Sequence, residues 1–380
     1  GLRPDGTLNG QPNRFESGLM SESSTLHRTP LHAAHLSASA KLVPFAGWEM
    51  PLDYGSILEE SRAVRTYAGI FDVSHMARFW FRGPHAEQEL DAALGARMTD
   101  LAVSKARYSL LLHDDAGILD DLIVYRTGEE EFFMVVNAAN RERDYDSLSK
   151  RMKRTTLHDV TEDGGGILAL QGPRSREILE ALSGRSGFCP AFLDLATLEL
   201  PKIGSIMIAR TGYTGEQGFE IFFEANQAVS LWERLLELGA HPVGLGSRDV
   251  LRLEAGLPLY GHEIHEAVNP FEAGLRFGVR GWKTRNFVGS DSLRSLPEPT
   301  RQIIGFTAEK RVPREGYPVL CEGREVGVIC SGIWSANLDC PIATALVEKN
   351  LEGPFTVSFR GKEMPVEVSP LPFVPHRSRD

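Results

Sequence analysis

Short runs of β-branched and apolar residues, separated by turns rich in Gly and Asp, dominate the first two thirds of the chain. One run, residues 117–126, reads Gly-Ile-Leu-Asp-Asp-Leu-Ile-Val-Tyr-Arg and has the composition of a buried or half-buried strand. Because neighbouring side chains of a strand point to opposite faces, one of Asp120 and Asp121 should face inward. An ionised carboxylate there is costly unless it is paired or hydrogen-bonded. The alternative is that both lie at the strand mouth and cap the preceding turn.

The same patterns predict an α+β architecture with antiparallel sheets rather than a doubly wound one, because the connections between strands are short. Between Pro44 and Pro51 we expect an irregular turn, since proline breaks helices. Periodicity predicts helices at 31–42, 56–67 (capped by Ser56), 85–94, 140–154, 175–183 and 227–239. Apolar and β-branched runs bounded by turns predict strands at 69–76 (strand or loop), 77–82, 108–113, 118–126, 131–136, 165–171, 205–210 and 219–223.

The pattern of predicted elements changes near Thr300, after which six short strands follow one another, separated by Gly- or Glu-containing turns. This is typical of a small all-β barrel, and the Pro297-Glu298-Pro299 segment is the expected hinge. Residues 1–28 are polar and Gly-rich without apolar periodicity, so we expect a disordered leader. The predicted organisation is therefore a leader at 1–28, a main region at 29–299 and a barrel domain at 300–380.

Composition excludes several classes of function. The formal net charge of −10 over 380 residues does not favour binding to nucleic acid or to acidic membranes, which are themselves negatively charged. The four cysteines form no C-x-x-C pair, and no apolar run is long enough to span a membrane. We therefore expect a cytoplasmic protein with reduced thiols, a monomer or weak dimer.

The run from Arg210 to Glu220 packs three glycines, an aromatic and two acids between two strands. Such glycines permit close approach of a flat ligand, on which Tyr213 could stack while Glu220 accepts from ring N–H groups. The alternative is a tight hairpin in which Tyr213 has no function.

A second run, residues 244–249, leads into a helix with Ser247 as its expected cap. Arg248 would then lie in the first turn of the helix, where a positive charge opposes the helix dipole. A bound ligand group or a salt bridge to Arg248 would explain this placement. His75 is either a base or, more commonly for its type, a hydrogen-bonded core residue. His262 and His265 are three residues apart rather than four, so we reject a zinc site there.

Six runs occur together in one order: 45–52, 69–76, 117–125, 135–140, 211–220 and 244–260. In that order they resemble the T-protein of the glycine cleavage system, a tetrahydrofolate-dependent aminomethyltransferase. The resemblance implies two interleaved, ferredoxin-like α+β domains around a folate channel, plus the C-terminal β-barrel. It implies transfer of an aminomethyl carbon from lipoylated H-protein to tetrahydrofolate with release of ammonia, without a metal.

The resemblance also implies roles for residues. Asp120 matches the catalytic aspartate, which positions the cofactor and handles a proton. The cofactor-binding positions implied are Glu220, Arg248, Tyr213, Asn137, Met76, Tyr108 and, more loosely, Arg377.

The chain departs from the family pattern at His113 and at residues 335–339. Two sibling functions therefore stay open: a folate-dependent demethylase of a small N- or S-methyl compound, and a non-catalytic folate-binding protein. The second is disfavoured because residues 259–263 lack the cysteine of its signature.

Overall fold

The computed structural model describes residues 25–380. Most of the leader predicted at 1–28 lies outside these residues. Its last two residues, His27 and Arg28, pair in parallel with Trp48 and Glu49, so at that end the prediction of disorder is wrong.

The described residues contain eight α-helices and twenty strands. None of these helices is both long and apolar enough to cross a membrane. The helices are α1 (His32–Ser37), α2 (Ile57–Thr66), α3 (Ala86–Ala93), α4 (Arg141–Arg151), α5 (Ser175–Ser183), α6 (Ala228–Glu237), α7 (Leu245–Glu254) and α8 (Ser290–Ser295). The strands are β1 (His27–Arg28), β2 (Lys41–Phe45), β3 (Trp48–Asp53), β4 (Gly69–Asp72), β5 (Ala77–Arg82), β6 (Lys105–Leu112), β7 (Ile118–Gly128), β8 (Glu131–Val136), β9 (Thr156–Asp159), β10 (Gly166–Gln171), β11 (Leu195–Leu200), β12 (Gly204–Ala209), β13 (Gly218–Phe223), β14 (His241–Pro242), β15 (Arg301–Thr307), β16 (Pro318–Cys321), β17 (Arg324–Ser335), β18 (Cys340–Glu348), β19 (Phe355–Phe359) and β20 (Lys362–Ser369).

Two large sheets and one small three-stranded sheet, of order β1-β3-β2, form the main region. Sheet I has the order β11-β12-β13-β10-β4-β14, and sheet II has the order β6-β7-β8-β5-β9. The chain passes from β4 in sheet I to β5 through β9 in sheet II and then returns to sheet I at β10. The two α+β halves are therefore interleaved, as expected. The last six strands close a barrel in the order β15-β18-β17-β16-β19-β20, which confirms the predicted all-β C-terminal part.

Apolar side chains from both sheets meet in an inter-sheet core. Its members include Phe71 and Ile167 of sheet I and Tyr125 and Phe133 of sheet II. The opposite face of sheet II packs on α3 and α4 through a second core that contains Leu122 and Leu148. Because both faces of β7 are covered, every polar group on that strand needs a partner.

The aromatic segment around Pro44 and Pro51 is a β-hairpin, not an irregular turn. Strand β2 is an edge strand, and Pro51 in β3 lies beyond the two positions that pair with β1. Proline excludes a helix, but a strand tolerates it at positions where no backbone N–H has to donate to a neighbouring strand. Pro44 and Pro51 are therefore compatible with either a turn or a strand. Helix α1 is likewise shorter than predicted, because Ser39 takes a left-handed conformation (φ 58°) before β2 begins.

The barrel is fixed to α7 by buried carboxylates. Glu254 accepts from Ser335 Oγ at 2.7 Å and from Asn337 Nδ2 at 2.8 Å, while Arg65 Nη2 donates to it at 3.0 Å. Ser335 and Asn337 belong to the segment that departs from the family pattern. That segment therefore serves to hold the barrel against the main region.

Candidate active site

The two adjacent aspartates lie on strand β7, next to the part of that strand that packs in the inter-sheet core. Asp121, Ile123 and Tyr125 share one face of the strand by its two-residue repeat, and Ile123 and Tyr125 pack in the inter-sheet core. Leu122 on the opposite face packs in the core beneath α4, and Asp120 shares that face. The two carboxyl groups therefore begin from opposite sides of sheet II.

Asp120 is completely buried and is surrounded by donors. Its Oδ1 accepts from Asn137 Nδ2 at 2.8 Å and from Asn140 Nδ2 at 2.7 Å, and its Oδ2 accepts from the backbone N–H of Asn137 at 3.1 Å. Burial raises the pKa of Asp120, and these hydrogen bonds oppose the rise. With three N–H donors in place, this carboxylate is held rigidly and is not accessible.

Asp121 is partly exposed and less fully occupied. Tyr108 Oη donates to its Oδ2 at 3.2 Å and Asn137 Nδ2 donates to its Oδ1 at 2.9 Å. Burial, together with the negative charge of Asp120, raises the pKa of Asp121 to about 7. A carboxyl with such a pKa can both accept and release a proton at neutral pH.

Glu220 and Tyr125 form the next part of the site. Glu220 Oε2 accepts from Tyr125 Oη at 3.0 Å and from Thr211 Oγ1 at 2.5 Å. Tyr125 lies four residues after Asp121 on the same strand face, so strand geometry separates their Cα atoms by about 13 Å. One rigid strand thus sets the spacing between the two acidic groups.

Arg248 and Tyr213 complete the site. The Arg248 guanidinium carbon lies 4.8 Å from the centre of the Tyr213 ring. Its Nη1 is buried and has no hydrogen-bond partner among the described residues, where no carboxylate lies within salt-bridge distance of it either. Burial lowers the pKa of Arg248, and the charge of Glu220 opposes this. The salt-bridge alternative for Arg248 is therefore not what the structure contains.

One sequence interpretation of this region is wrong. Gly244, not Ser247, is the N-cap of α7, and Ser247 Oγ donates to the Ile57 carbonyl at 2.9 Å instead. Two glycines of the 211–220 loop also lie close to a protein side chain. A Cβ on Gly212 would lie 2.1 Å from Gln171 Oε1, and one on Gly218 would lie 2.3 Å from Gln171 Nε2.

Two family models match the chain: the GCVT N-terminal domain over residues 31–283 and the glycine cleavage T-protein C-terminal barrel domain over residues 301–375. The chain belongs to the glycine cleavage T-protein family. An aminomethyltransferase of Thermus thermophilus is 43% identical over 360 residues, which is 92% of this chain and 99% of the relative. One of Symbiobacterium thermophilum is 41% identical over 373 residues, 93% and 99% of the two chains.

The fold agrees with this membership. The crystal structure of glycine cleavage system aminomethyltransferase T from Bartonella henselae matches with a TM-score of 0.85 at 36% identity, covering 93% of this chain and 99% of that one. The family resemblance, the α+β fold with its barrel and the aminomethyltransferase class of enzyme are thus confirmed.

Within this T-protein fold, most of the predicted site residues come together. Tyr108 and Asn137 contact Asp121, Met76 packs against the inter-sheet core, and Tyr213 lies beneath Arg248. Arg377 is apart from them: its Nη1 lies 3.7 Å from Glu216 Oε2, and its backbone N–H donates to Gly215. The structure thus uses Arg377 to hold the Tyr213 loop from outside.

The histidines of the T-protein chain have other roles. His75 is buried with its ring edge-on to Phe45, and its Nδ1 has no hydrogen-bond partner in the described part of the chain. Burial and the Arg248 charge lower the pKa of His75 to about 3, so it is neutral and a poor base. His262 Nδ1 lies 3.3 Å from the Cys330 carbonyl, and His265 Nδ1 accepts from Ala267 N–H.

Sequence reasoning missed three residues that the structure places in the candidate site: Tyr125, Thr211 and Asn140. Tyr125 could have been found, because it follows Asp121 at an even spacing on one strand. Asn140 was not singled out, since it reaches Asp120 only when the N-cap of α4 packs on sheet II.

Proposed function

We propose that this aminomethyltransferase binds tetrahydrofolate between Glu220 and Asp121 and receives the aminomethyl group from lipoylated H-protein. Family membership supports the reaction. The observation that carries the cofactor assignment is the buried, unpartnered Nη1 of Arg248 opposite the Glu220 carboxylate. A cytoplasmic location stays a prediction.

The chemistry of the donor set fits a pterin. Its amino-pyrimidinone edge offers adjacent N–H donors that suit one carboxylate, and Glu220 presents such a carboxylate, already oriented by Tyr125 and Thr211. A planar heterocycle also carries acceptor atoms, which would satisfy Arg248. Tyr213 adds an aromatic face beside the guanidinium.

We propose Asp121, rather than Asp120, as the catalytic carboxylate. Asp120 is enclosed by three N–H donors, whereas Asp121 is partly exposed and lies on the strand face that leads to Tyr125 and Glu220. The motif had matched Asp120, and the two positions differ by one residue, which in a strand means opposite faces. The motif match and this proposal agree on the strand, and the proposal moves the catalytic position from Asp120 to Asp121.

The residues around Asp121 determine what it can do. When bound, tetrahydrofolate supplies the nucleophilic nitrogen that accepts the one-carbon unit. Tyr108 and Asn137 hold the Asp121 carboxyl in one orientation, and its raised pKa lets it take or return a proton as ammonia leaves.

The test is a discontinuous assay with tetrahydrofolate and aminomethylated H-protein that measures ammonia and methylene-tetrahydrofolate. Wild-type protein should release both, and Asp121→Asn should lower kcat by about 10²–10⁴-fold while tetrahydrofolate binding is kept. Asp114→Asn, in the exposed turn of the same hairpin, is the matched control and should behave as wild type.

Small methylated amines and sulfonium compounds are assayed in parallel. Turnover of these donors alone would reassign the protein to the demethylase branch. Full activity in Asp121→Asn would remove Asp121 from the mechanism, and tetrahydrofolate binding without turnover of any donor would favour the non-catalytic alternative.

A further inference from the structure

Asp144 is a buried acid that neither the family pattern nor the proposed mechanism uses. It lies on α4 with no solvent exposure. Neither of its carboxyl oxygens receives a hydrogen bond from a donor group among the described residues. A fully ionised carboxylate in that position would be desolvated and without a hydrogen bond.

Asp144 and Asp120 face each other between α4 and sheet II. Asp144 precedes Leu148 by one turn of α4, Leu148 packs in the same core as Leu122, and Leu122 shares its strand face with Asp120. Two carboxylates that face each other in a buried site repel, so the site favours a state with one proton on the pair. Asp120 already accepts from three N–H groups, which stabilise its charged form, while Asp144 accepts from none of those groups. The arrangement of donors therefore places the negative charge on Asp120 and the proton on Asp144.

The other charged groups near Asp144 leave this assignment in place. Arg143 Nε lies 3.8 Å from Asp144 Oδ1, beyond hydrogen-bond distance, and its Nη1 is committed to Glu266 at 2.9 Å. Arg151, at the C-terminal end of α4, donates to the carbonyls of Ala93 and Leu112 instead. Burial and the charges of Asp120 and Asp121 raise the pKa of Asp144 to about 11, against the lowering effect of Arg143.

We propose that Asp144 is a neutral carboxylic acid that donates a hydrogen bond to Asp120, so that this acid pair carries a single negative charge behind Asp121. Asp144 is thus a positioning residue that acts through Asp120. The single charge keeps the proton affinity of Asp121 high without excluding its ionised form. This inference rests on the proposed role of Asp121.

The first experiment compares pH profiles of kcat/KM for full-length wild type, Asp144→Asn and the control Asp146→Asn, which is exposed on the same helix. An asparagine amide is neutral and can still donate to Asp120. In Asp144→Asn, the limb of the kcat/KM profile whose midpoint lies near the pKa of Asp121 should therefore move by less than about half a pH unit. If Asp144 were ionised, its replacement would remove a negative charge, and a fall of that midpoint by more than about one unit would overturn the proposal.

Asp144→Leu keeps the branched shape of the side chain and removes the donor. Its kcat should fall by about tenfold or more, with little change in tetrahydrofolate affinity, and Asp144→Asn should restore turnover. Equal turnover in the leucine and asparagine variants would overturn the proposal, because the hydrogen bond would then have no effect.

A spectroscopic measurement keeps the inference independent of activity. The infrared difference spectrum of wild type minus Asp144→Asn at pH 8 should contain the carbonyl stretch of a protonated, hydrogen-bonded carboxylic acid. A carboxylate band alone would overturn the inference. If wild type had no turnover at all, the proposed function would fail, while this spectrum would still decide the state of Asp144.

Discussion

The hydroxyl of Tyr125 donates to Oε2 of Glu220 at 3.0 Å and so joins a strand of sheet II to a strand of sheet I. Both residues lie at the inter-sheet core, where a polar group without a partner would be costly. The bond fixes one end of the proposed cofactor site to the same strand that presents Asp121. Movement between the sheets would therefore change the distance between Glu220 and Asp121.

Replacement of Glu220 should weaken the binding of tetrahydrofolate more than it slows catalysis. We expect Glu220→Ala to cost roughly 1–3 kcal/mol of binding free energy, because donors of the ligand would be left unpaired. Tyr125→Phe removes only one orienting bond and should cost about 0.5–1.5 kcal/mol. Isothermal titration calorimetry with tetrahydrofolate measures both values. Unchanged affinity in Glu220→Ala would remove this carboxylate from the pterin site.

A lysine at position 248 should not give the tetrahydrofolate affinity that Arg248 provides. An ammonium group has neither the planar fork nor the ring contact of the guanidinium over Tyr213, so Arg248→Lys should weaken tetrahydrofolate binding by about 1.5–3 kcal/mol. Thermal unfolding should stay near that of wild type, since Arg248 forms no salt bridge within residues 25–380. Arg234→Lys, on an exposed part of α6, is the control for the substitution type. Wild-type affinity in Arg248→Lys would show that charge alone is sufficient.

Asp121→Asn should make the protein more stable at pH 8 relative to wild type. The folded-state pKa of Asp121 is raised to about 7, so below that pH the folded protein holds a proton that the unfolded chain releases near pH 4. Stability from this group is present at low pH and is lost as the pH rises from about 4 through about 7, by at most about 1.4 kcal/mol per pH unit. Urea unfolding at pH 4.5 and pH 8 tests this: the advantage of Asp121→Asn should appear only at pH 8.

Asp72 should have the opposite dependence. Burial would raise its pKa, but hydrogen bonds from His35 Nε2 at 2.9 Å, Ser74 N–H and Thr29 Oγ1 outweigh burial and lower the pKa to about 2. Its stabilisation is therefore present above about pH 4 and is lost as the pH falls toward about 2.

We expect Asp72→Asn to lower the free energy of unfolding at pH 7 by roughly 2–3 kcal/mol, with a smaller difference from wild type at pH 3. Urea unfolding at the two pH values measures it, with Asp146→Asn as the control. An equal loss at both pH values would contradict an ionised Asp72.

The hydrophobic pattern was sufficient for the local elements that are long or strongly periodic. Helix α5 begins and ends where periodicity places it, and Ser56 caps α2 by accepting from Glu59 N–H at 3.3 Å. Strand β8 and the barrel strands were also found, because runs of β-branched and aromatic residues bounded by turns favour strands. The hairpin of β2 and β3 was missed because proline at an edge strand gives the same signal as proline in a turn.

The sequence by itself determined the fold class, the family and the neighbourhood of the site: Glu220, Arg248, Tyr213, Tyr108 and Asn137 were all named from their motifs. Only the tertiary structure showed that Asp120 is enclosed by N–H donors, while Asp121 lies on the strand face of Tyr125. Adjacent strand residues differ only in the face they occupy, and what covers each face depends on distant segments. Asn140 reaches Asp120 from the N-cap of α4, and Tyr125 meets Glu220 across two sheets. Such contacts join residues far apart in the chain, so no local pattern of residues contains them.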